Sequence, residues 1–278
     1  AYTGSLFWGS SATPSAYITG QEFMYVMVTR ALTAGERTAM EAWVSYCIDH
    51  TGTQRGVLPL GDSLTQGVNS TNGDGWRSLL ATYLDSNKLG SKWLFQNGDV
   101  RDLAFPQDKH HGVSGDPIAN TQTAVNSIMG VGAAYNVPIV CLMIGTNDCR
   151  NNGAVYVSGT GPGTTIQAYQ DLVTSIDTKI TAATGTHPRI VVTTVPACNT
   201  AQATALANIQ DYNANLVNVA WPALSGAGIQ LHTWDAYTVV GPWSAANFGA
   251  DQFHMNDTGY ALYLQGLLTP LAAAAAAA

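Results

Sequence analysis

The chain has 278 residues, enough for one α/β domain of ordinary size with a small appendage, and only 10 % of them are charged, for a net charge of −7. No cluster of Lys or Arg could track a phosphate backbone, so nucleic acid is not an expected partner, and no apolar stretch reaches the roughly 18 to 20 residues that cross a bilayer. The first residues lack the charged and apolar regions of a signal peptide, while scarce Lys and Glu beside abundant Thr, Ser, Asn and Gly lean toward a secreted protein.

Residues 1–52 are expected to form an appendage: a loop, an apolar strand from Phe23 to Val28, and a helix. Thr33 is placed to cap that helix with Glu36 reaching back to the cap amide, and Ala39, Met40, Trp43, Val44 and Cys47 follow at helical spacing. Arg30 to Tyr46, with its Ala31-Leu32-Thr33-x-x-Glu36-Arg37 pattern, resembles the closing strand and helix of concanavalin-type lectin domains, which suggests a remnant of such a module.

From about residue 53 to 271 the pattern alternates β-rich runs with helical ones, which predicts a parallel sheet covered by helices on both faces. Five strands are expected, at Val57 to Leu60, Trp93 to Gln96, Pro138 to Ile144, Arg189 to Val195 and Ile229 to Thr233. Helices are expected near 75–86, 118–134, 164–183, 200–220 and from Asp257 to about Leu268. The closing alanine run, 272–278, carries no pattern and is set apart as a tag-like tail. In a doubly wound sheet ligands sit beyond the carboxyl ends of the strands, so those loops are the ones to search.

The first such loop is Gly61-Asp62-Ser63-Leu64-Thr65-Gln66-Gly67, a serine in a tight turn between glycines. As a bare Gly-Asp-Ser it would be a strand-ending turn with a capping serine. The loop after the second expected strand holds His111-Gly112-Val113-Ser114-Gly115-Asp116, and the third strand runs into Gly145-Thr146-Asn147-Asp148. Ahead of the last helix stands Asp251-Gln252-Phe253-His254-Met255-Asn256-Asp257, where a carboxylate three residues before a histidine can hold the imidazole. That spacing is cheap, because Asp108 and His111 repeat it; position after the last strand selects the second pair. Asp108, Lys109, His110 and His111 read as a polar loop surface, with contact between one of them and substrate as the alternative.

The four strings, in this order and each near a strand end, resemble the four blocks of the GDSL/SGNH hydrolases over about residues 56–270, with Gly75-Trp76-Arg77 fitting the same pattern. The resemblance implies a flavodoxin-like three-layer sandwich with strand order 2-1-3-4-5. It also implies a serine esterase: Ser63 as nucleophile, His254 as base, Asp251 as its orienting carboxylate, and an oxyanion hole from Asn147 with the amides of Ser63 and Gly115. Such chemistry needs no metal or organic cofactor. Met255 stands where many members have proline, which puts the geometry of that turn in question. There is no Gly-x-Ser-x-Gly, so the α/β-hydrolase elbow is not the source of the nucleophile.

The expected substrates are short-chain esters, acetyl groups on carbohydrates among them. The alternatives are an idle carbohydrate-binding protein on the same fold and an acyltransferase using the same serine. Cys149 and Cys198 would follow neighbouring strands, which leaves a disulfide between them open, whereas Cys47 and Cys141 read as buried thiols. Trp243, Phe248 and Phe253 are candidates either for a pocket lining or for packing.

Overall fold

The computed structural model describes residues 55–86, 93–95, 109–128 and 139–277. The strand, helix and lectin-like stretch expected before residue 53 lie outside them, as do Cys47, Asp108 and the expected helical residues 129–134.

Six strands are described: β1 (Arg55–Gly61), β2 (Trp93–Phe95), β3 (His111–Gly112), β4 (Ile139–Met143), β5 (Arg189–Thr193) and β6 (Gln230–Trp234). All pair in parallel, in the order β2-β1-β4-β5-β6, which is the expected 2-1-3-4-5. The sixth, β3, was expected as loop. It pairs Leu60 with His111 and Gly61 with Gly112, whereas β2 pairs with β1 only as far as Val57. Pro59, which has no N–H to give to a ladder, falls where β1 changes partner.

Strand side chains alternate between faces, and both faces are apolar, as a sheet covered on both sides requires. Leu58, Leu60, Val140, Leu142, Ile190 and Val192 face one cluster, which includes Ile118 and Val125 of α3 (Ile118–Ile128) and the buried stripe Tyr169, Leu172, Val173, Ile176 and Ile180 of α5 (Thr165–Thr184). Val57, Ile139, Cys141, Met143 and Val191 face the other, against α2 (Trp76–Ser86), α8 (Ala236–Val240) and α9 (Asp257–Ala277). Each such side chain taken out of water contributes about 1.5–3 kcal/mol.

Two helical expectations need correction. The stretch 200–220 is not one helix: α6 (Ala203–Asn215) passes through a π-turn at Leu216–Ala220 into α7 (Trp221–Gly226). Leu216, Ala220 and Trp221 are all buried, so the widened turn keeps them on the core side, which apolar spacing cannot distinguish from a regular helix. The alanine run is not a patternless tail, since α9 continues to Ala277 with Ala274 fully buried, in keeping with alanine's helix propensity. Two short helices, α1 (Ser63–Gln66) and α4 (Thr146–Cys149), open at the carboxyl ends of β1 and β4.

These two ends approach closely at Gly61. Its φ is +153°, and a Cβ there would lie 1.9 Å from the carbonyl oxygen of Met143. Gly61→Ala is therefore expected to cost about 1–2 kcal/mol for backbone strain and about 1–3 kcal/mol more for overpacking, whereas Gly226→Ala, in an exposed helical position with open space around it, should be neutral or stabilising by about 0.4–1 kcal/mol. Thermal unfolding of the two variants checks this; equal shifts would contradict it.

Candidate functional site

The first side chain of the site stands where β1 turns into α1. Asp62, in extended conformation, caps the helix by accepting the Leu64 amide on Oδ1 at 3.0 Å, so the cap is the aspartate and Ser63 is left free to face outward from the turn. Arg77 on α2, fully buried, donates Nη1 to the Gln66 carbonyl at 2.6 Å and to the Thr65 carbonyl, clamping the far end of α1.

The second group arrives from the far end of the chain. His254 Nε2 lies 2.7 Å from Ser63 Oγ, and its Nδ1 is hydrogen-bonded to Asp251 Oδ2. Asp251 Oδ1 accepts the amides of Phe253 (3.1 Å) and His254 (3.0 Å), so one carboxylate folds the turn and holds the ring. The segment is a turn with Gln252 at φ +73°, rather than a helical one. Burial opposes ionisation of Asp251, but the His254 ring and the two amides outweigh it and hold the carboxyl below its ordinary range. Met255, where the turn geometry was in question, is buried and bridges to Phe248, and Asn256 caps α9 by accepting the Gly259 amide at 3.1 Å. Two ties join this segment to the nucleophile loop: Asp257 accepts from the Thr71 amide at 2.8 Å and from its hydroxyl, and the Tyr260 hydroxyl donates to the Val68 carbonyl at 2.9 Å.

The third group comes from α4. Asn147, 1 % exposed, donates Nδ2 to the Asp116 carbonyl at 3.1 Å, and its Oδ1 accepts from Asn152 Nδ2 at the same distance. Asn152 thereby fixes which end of the Asn147 amide is the donor, leaving that donor its second hydrogen. Gly115 has φ +88° with open space where a Cβ would stand, so backbone conformation and not crowding calls for glycine. Asp148 accepts the Ile118 amide at 3.1 Å, tying the Gly115 segment to α4.

The structure thus brings Ser63, His254 and Asp251 into one hydrogen-bonded chain and sets Asn147 beside the Gly115 loop. Such an arrangement can deprotonate a hydroxyl and meet a developing negative charge with neutral donors.

The sequence model of the GDSL-like lipase/acylhydrolase family matches residues 60–262, more than half of the chain. The chain belongs to this family. It is a carboxylic ester hydrolase of the GDSL kind, and solved structures bear out its fold. The family 3 carbohydrate esterase of Clostridium thermocellum is similar with a TM-score of 0.58 at 20 % identity, covering 80 % of this chain and 98 % of that one. The esterase EstA of Pseudoalteromonas sp. gives 0.53 at 14 %, covering 79 % and 98 %, and a carbohydrate acetylesterase family member of Sinorhizobium meliloti gives 0.52 at 16 %, covering 80 % and 99 %. No curated protein matches the chain significantly. Among the described residues of this GDSL hydrolase no helix is long and apolar enough to cross a membrane.

Other expectations are corrected by burial. His110 and His111 are not a polar loop surface: both are buried, His111 in β3, and His110 Nδ1 accepts the Gly112 amide at 2.9 Å. Phe248 is a packing residue of the second cluster and Trp243 packs against it, while Phe253 packs against the first cluster with its amide in the Asp251 turn. Cys149 and Cys198, for which a disulfide was open, are both free thiols, as is Cys141. Asn152 and Asp62 were missed as site residues. Asn152 had no signal, since it lies in an irregular turn five residues after its partner.

Asp62 is fully buried, and its Oδ2 has no hydrogen-bond partner. Burial pushes its carboxyl up to about 7, with the charge of Asp148 adding to the rise and the Leu64 amide and Thr146 opposing it. As pH rises from about 4 to about 7 the unfolded chain releases this proton while the folded chain keeps it, so stability falls across that window and is level above it. Asp62→Asn keeps the Oδ1 acceptor and does not titrate. Denaturant unfolding near pH 5 and near pH 8 should show the variant gaining on the natural protein at the higher pH; a constant difference would contradict a raised Asp62.

Proposed function

We propose that this hydrolase cleaves short-chain carboxylic esters, with acetyl groups on carbohydrates as the first class to try, through an acyl-enzyme on Ser63. The 2.7 Å contact between Ser63 Oγ and His254 Nε2 carries the proposal. His254 takes the hydroxyl proton as Oγ attacks the ester carbonyl carbon. The carbonyl oxygen becomes an oxyanion, which receives hydrogen bonds from Asn147 Nδ2 and from the amides of Ser63 and Gly115. Collapse breaks the bond to the alcohol oxygen, which leaves with the proton from His254. Water, deprotonated by the same ring, then attacks the acyl-enzyme, and the acid departs as Ser63 regains its proton. Asp251, ionised, keeps the Nδ1–H tautomer and supports the imidazolium.

The small acyl group rests on burial. Ser63 and Asn147 are each 1 % exposed and His254 is 9 % exposed, which leaves little surface at the reacting atoms. Two of the structurally similar proteins are carbohydrate esterases, and for that reason acetylated sugars head the substrates to be tried.

The test is hydrolysis of a p-nitrophenyl ester series, acetate to longer chains, by the natural protein and three variants. Acetate should be preferred, and Ser63→Ala should lower kcat by about 10⁴-fold or more. Asn147→Ala should cost about 10²- to 10³-fold, and Asn152→Ala roughly 10-fold with KM little changed, because it loosens the donor without removing it. Activity that survives Ser63→Ala would overturn the assignment. Transfer to an added alcohol in preference to hydrolysis would favour the acyltransferase.

A further inference from the structure

One cation at this site has no hydrogen-bonded or ion-paired partner among the described residues. Arg150 follows Cys149 at the end of α4, the helix that carries Asn147, and its guanidinium lies 3.7 Å from the centroid of the Phe253 ring. Phe253 is the residue before His254 and donates its amide to Asp251. The stacking therefore spans from the helix of Asn147 to the turn of His254. Among the described residues no hydrogen bond or ion pair reaches the Arg150 side chain, whose charge acts on the Cys198 thiol, although the residue is half-buried and the chain is acidic overall.

Stacking on a ring occupies the faces of a guanidinium and leaves its edge, with the N–H donors, open in the plane. That edge matches a carboxylate, which accepts two parallel N–H bonds. The acidic side chains of the same segments are engaged elsewhere. Asp251 is engaged by His254, Asp148 is buried on the Ile118 amide, and the carboxylate of Asp116 accepts from Asn120. Gln252, the residue before Phe253, is neutral and accepts from Gln202 at 3.1 Å. His254 must lie next to the departing oxygen to return its proton, and the guanidinium stacks on the residue before it; the alcohol portion is therefore the part of the substrate assigned to Arg150.

We propose that Arg150 is a specificity-determining residue that selects esters whose alcohol portion carries a carboxylate, as an acetylated uronic-acid sugar does. This rests on the proposed chemistry at Ser63 and adds the substrate's charge to it. A tether between α4 and the His254 turn is the plain structural alternative, and it makes a different prediction: loosening a tether slows charged and neutral substrates alike.

The experiment uses 4-acetoxybenzoate and its methyl ester, which differ in the charge across the ring from the acetyl group, and follows release of the phenol by the full chain. The ratio of kcat/KM for the anion to that for the neutral ester, each corrected for hydroxide-catalysed hydrolysis, should be about 10-fold in favour of the anion and should fall as salt is added. Arg150→Gln should bring the ratio to about one, and Arg150→Lys, which keeps the charge without the fork, should retain part of it. A ratio that Arg150→Gln leaves unchanged overturns the role of Arg150 alone. Ser63→Ala run beside it separates the other failure, since hydrolysis surviving that substitution overturns the serine reading on which this one rests.

Discussion

A hydrogen bond between residues 191 positions apart in the chain, Ser63 and His254, is the contact around which the rest of the site is organised. Such a bond contributes only about 0.5–1.5 kcal/mol net, too little to hold two loops together by itself. The scaffold does the holding. Gly61 lets β1 and β4 close up, Asp62 and Arg77 fix both ends of the helix that Ser63 begins, and Asp257 and Tyr260 tie the start of α9 to the loop after Ser63. Each tie acts on a rigid element, so the separation of hydroxyl and imidazole is inherited from the packing of the sheet and its helices.

Beneath Ser63 and Asn147 the interior is polar, and this has a cost. Asp62 and Asp148 are both buried with raised carboxyls, and the hydroxyl of Thr146 and one oxygen of Asp62 lack partners of hydrogen-bond geometry. Apolar residues would pack there more cheaply. What the acids provide is position: Asp62 starts the Ser63 helix and Asp148 fastens the Asn147 helix to the Gly115 segment. Stability is given up next to the serine for a fixed arrangement of donors and acceptor, a common trade at sites of chemistry.

Much of this was legible in the sequence because the features involved are periodic or fixed by strand ends. Short apolar, β-rich runs between helical patterns marked β1, β4 and β5, and four strings at strand ends marked Ser63, Gly115, Asn147 and the Asp251–His254 pair. Where the physics is not periodic the sequence was silent. A strand of two residues, β3, is too short to form an apolar run, and so His110 and His111 read as surface when they are buried. The π-turn at Leu216–Ala220 differs from an α-helix by one residue of phase, which apolar spacing over a few turns does not resolve. Asn152 acts through one amide contact, and Arg150 through a ring brought to it by the fold from a hundred residues away, and neither leaves a mark on its neighbours in the chain.

The claim most exposed to test is that Ser63, activated by His254, forms the covalent intermediate. A fluorophosphonate reacts with an activated serine and does not turn over, so the natural protein treated with one, digested and mapped by mass spectrometry gives the direct answer. One adduct per chain is expected, on Ser63, formed in step with loss of esterase activity, and almost none in His254→Ala. Full inactivation with the adduct on another residue, or full modification of Ser63 with activity intact, would contradict it.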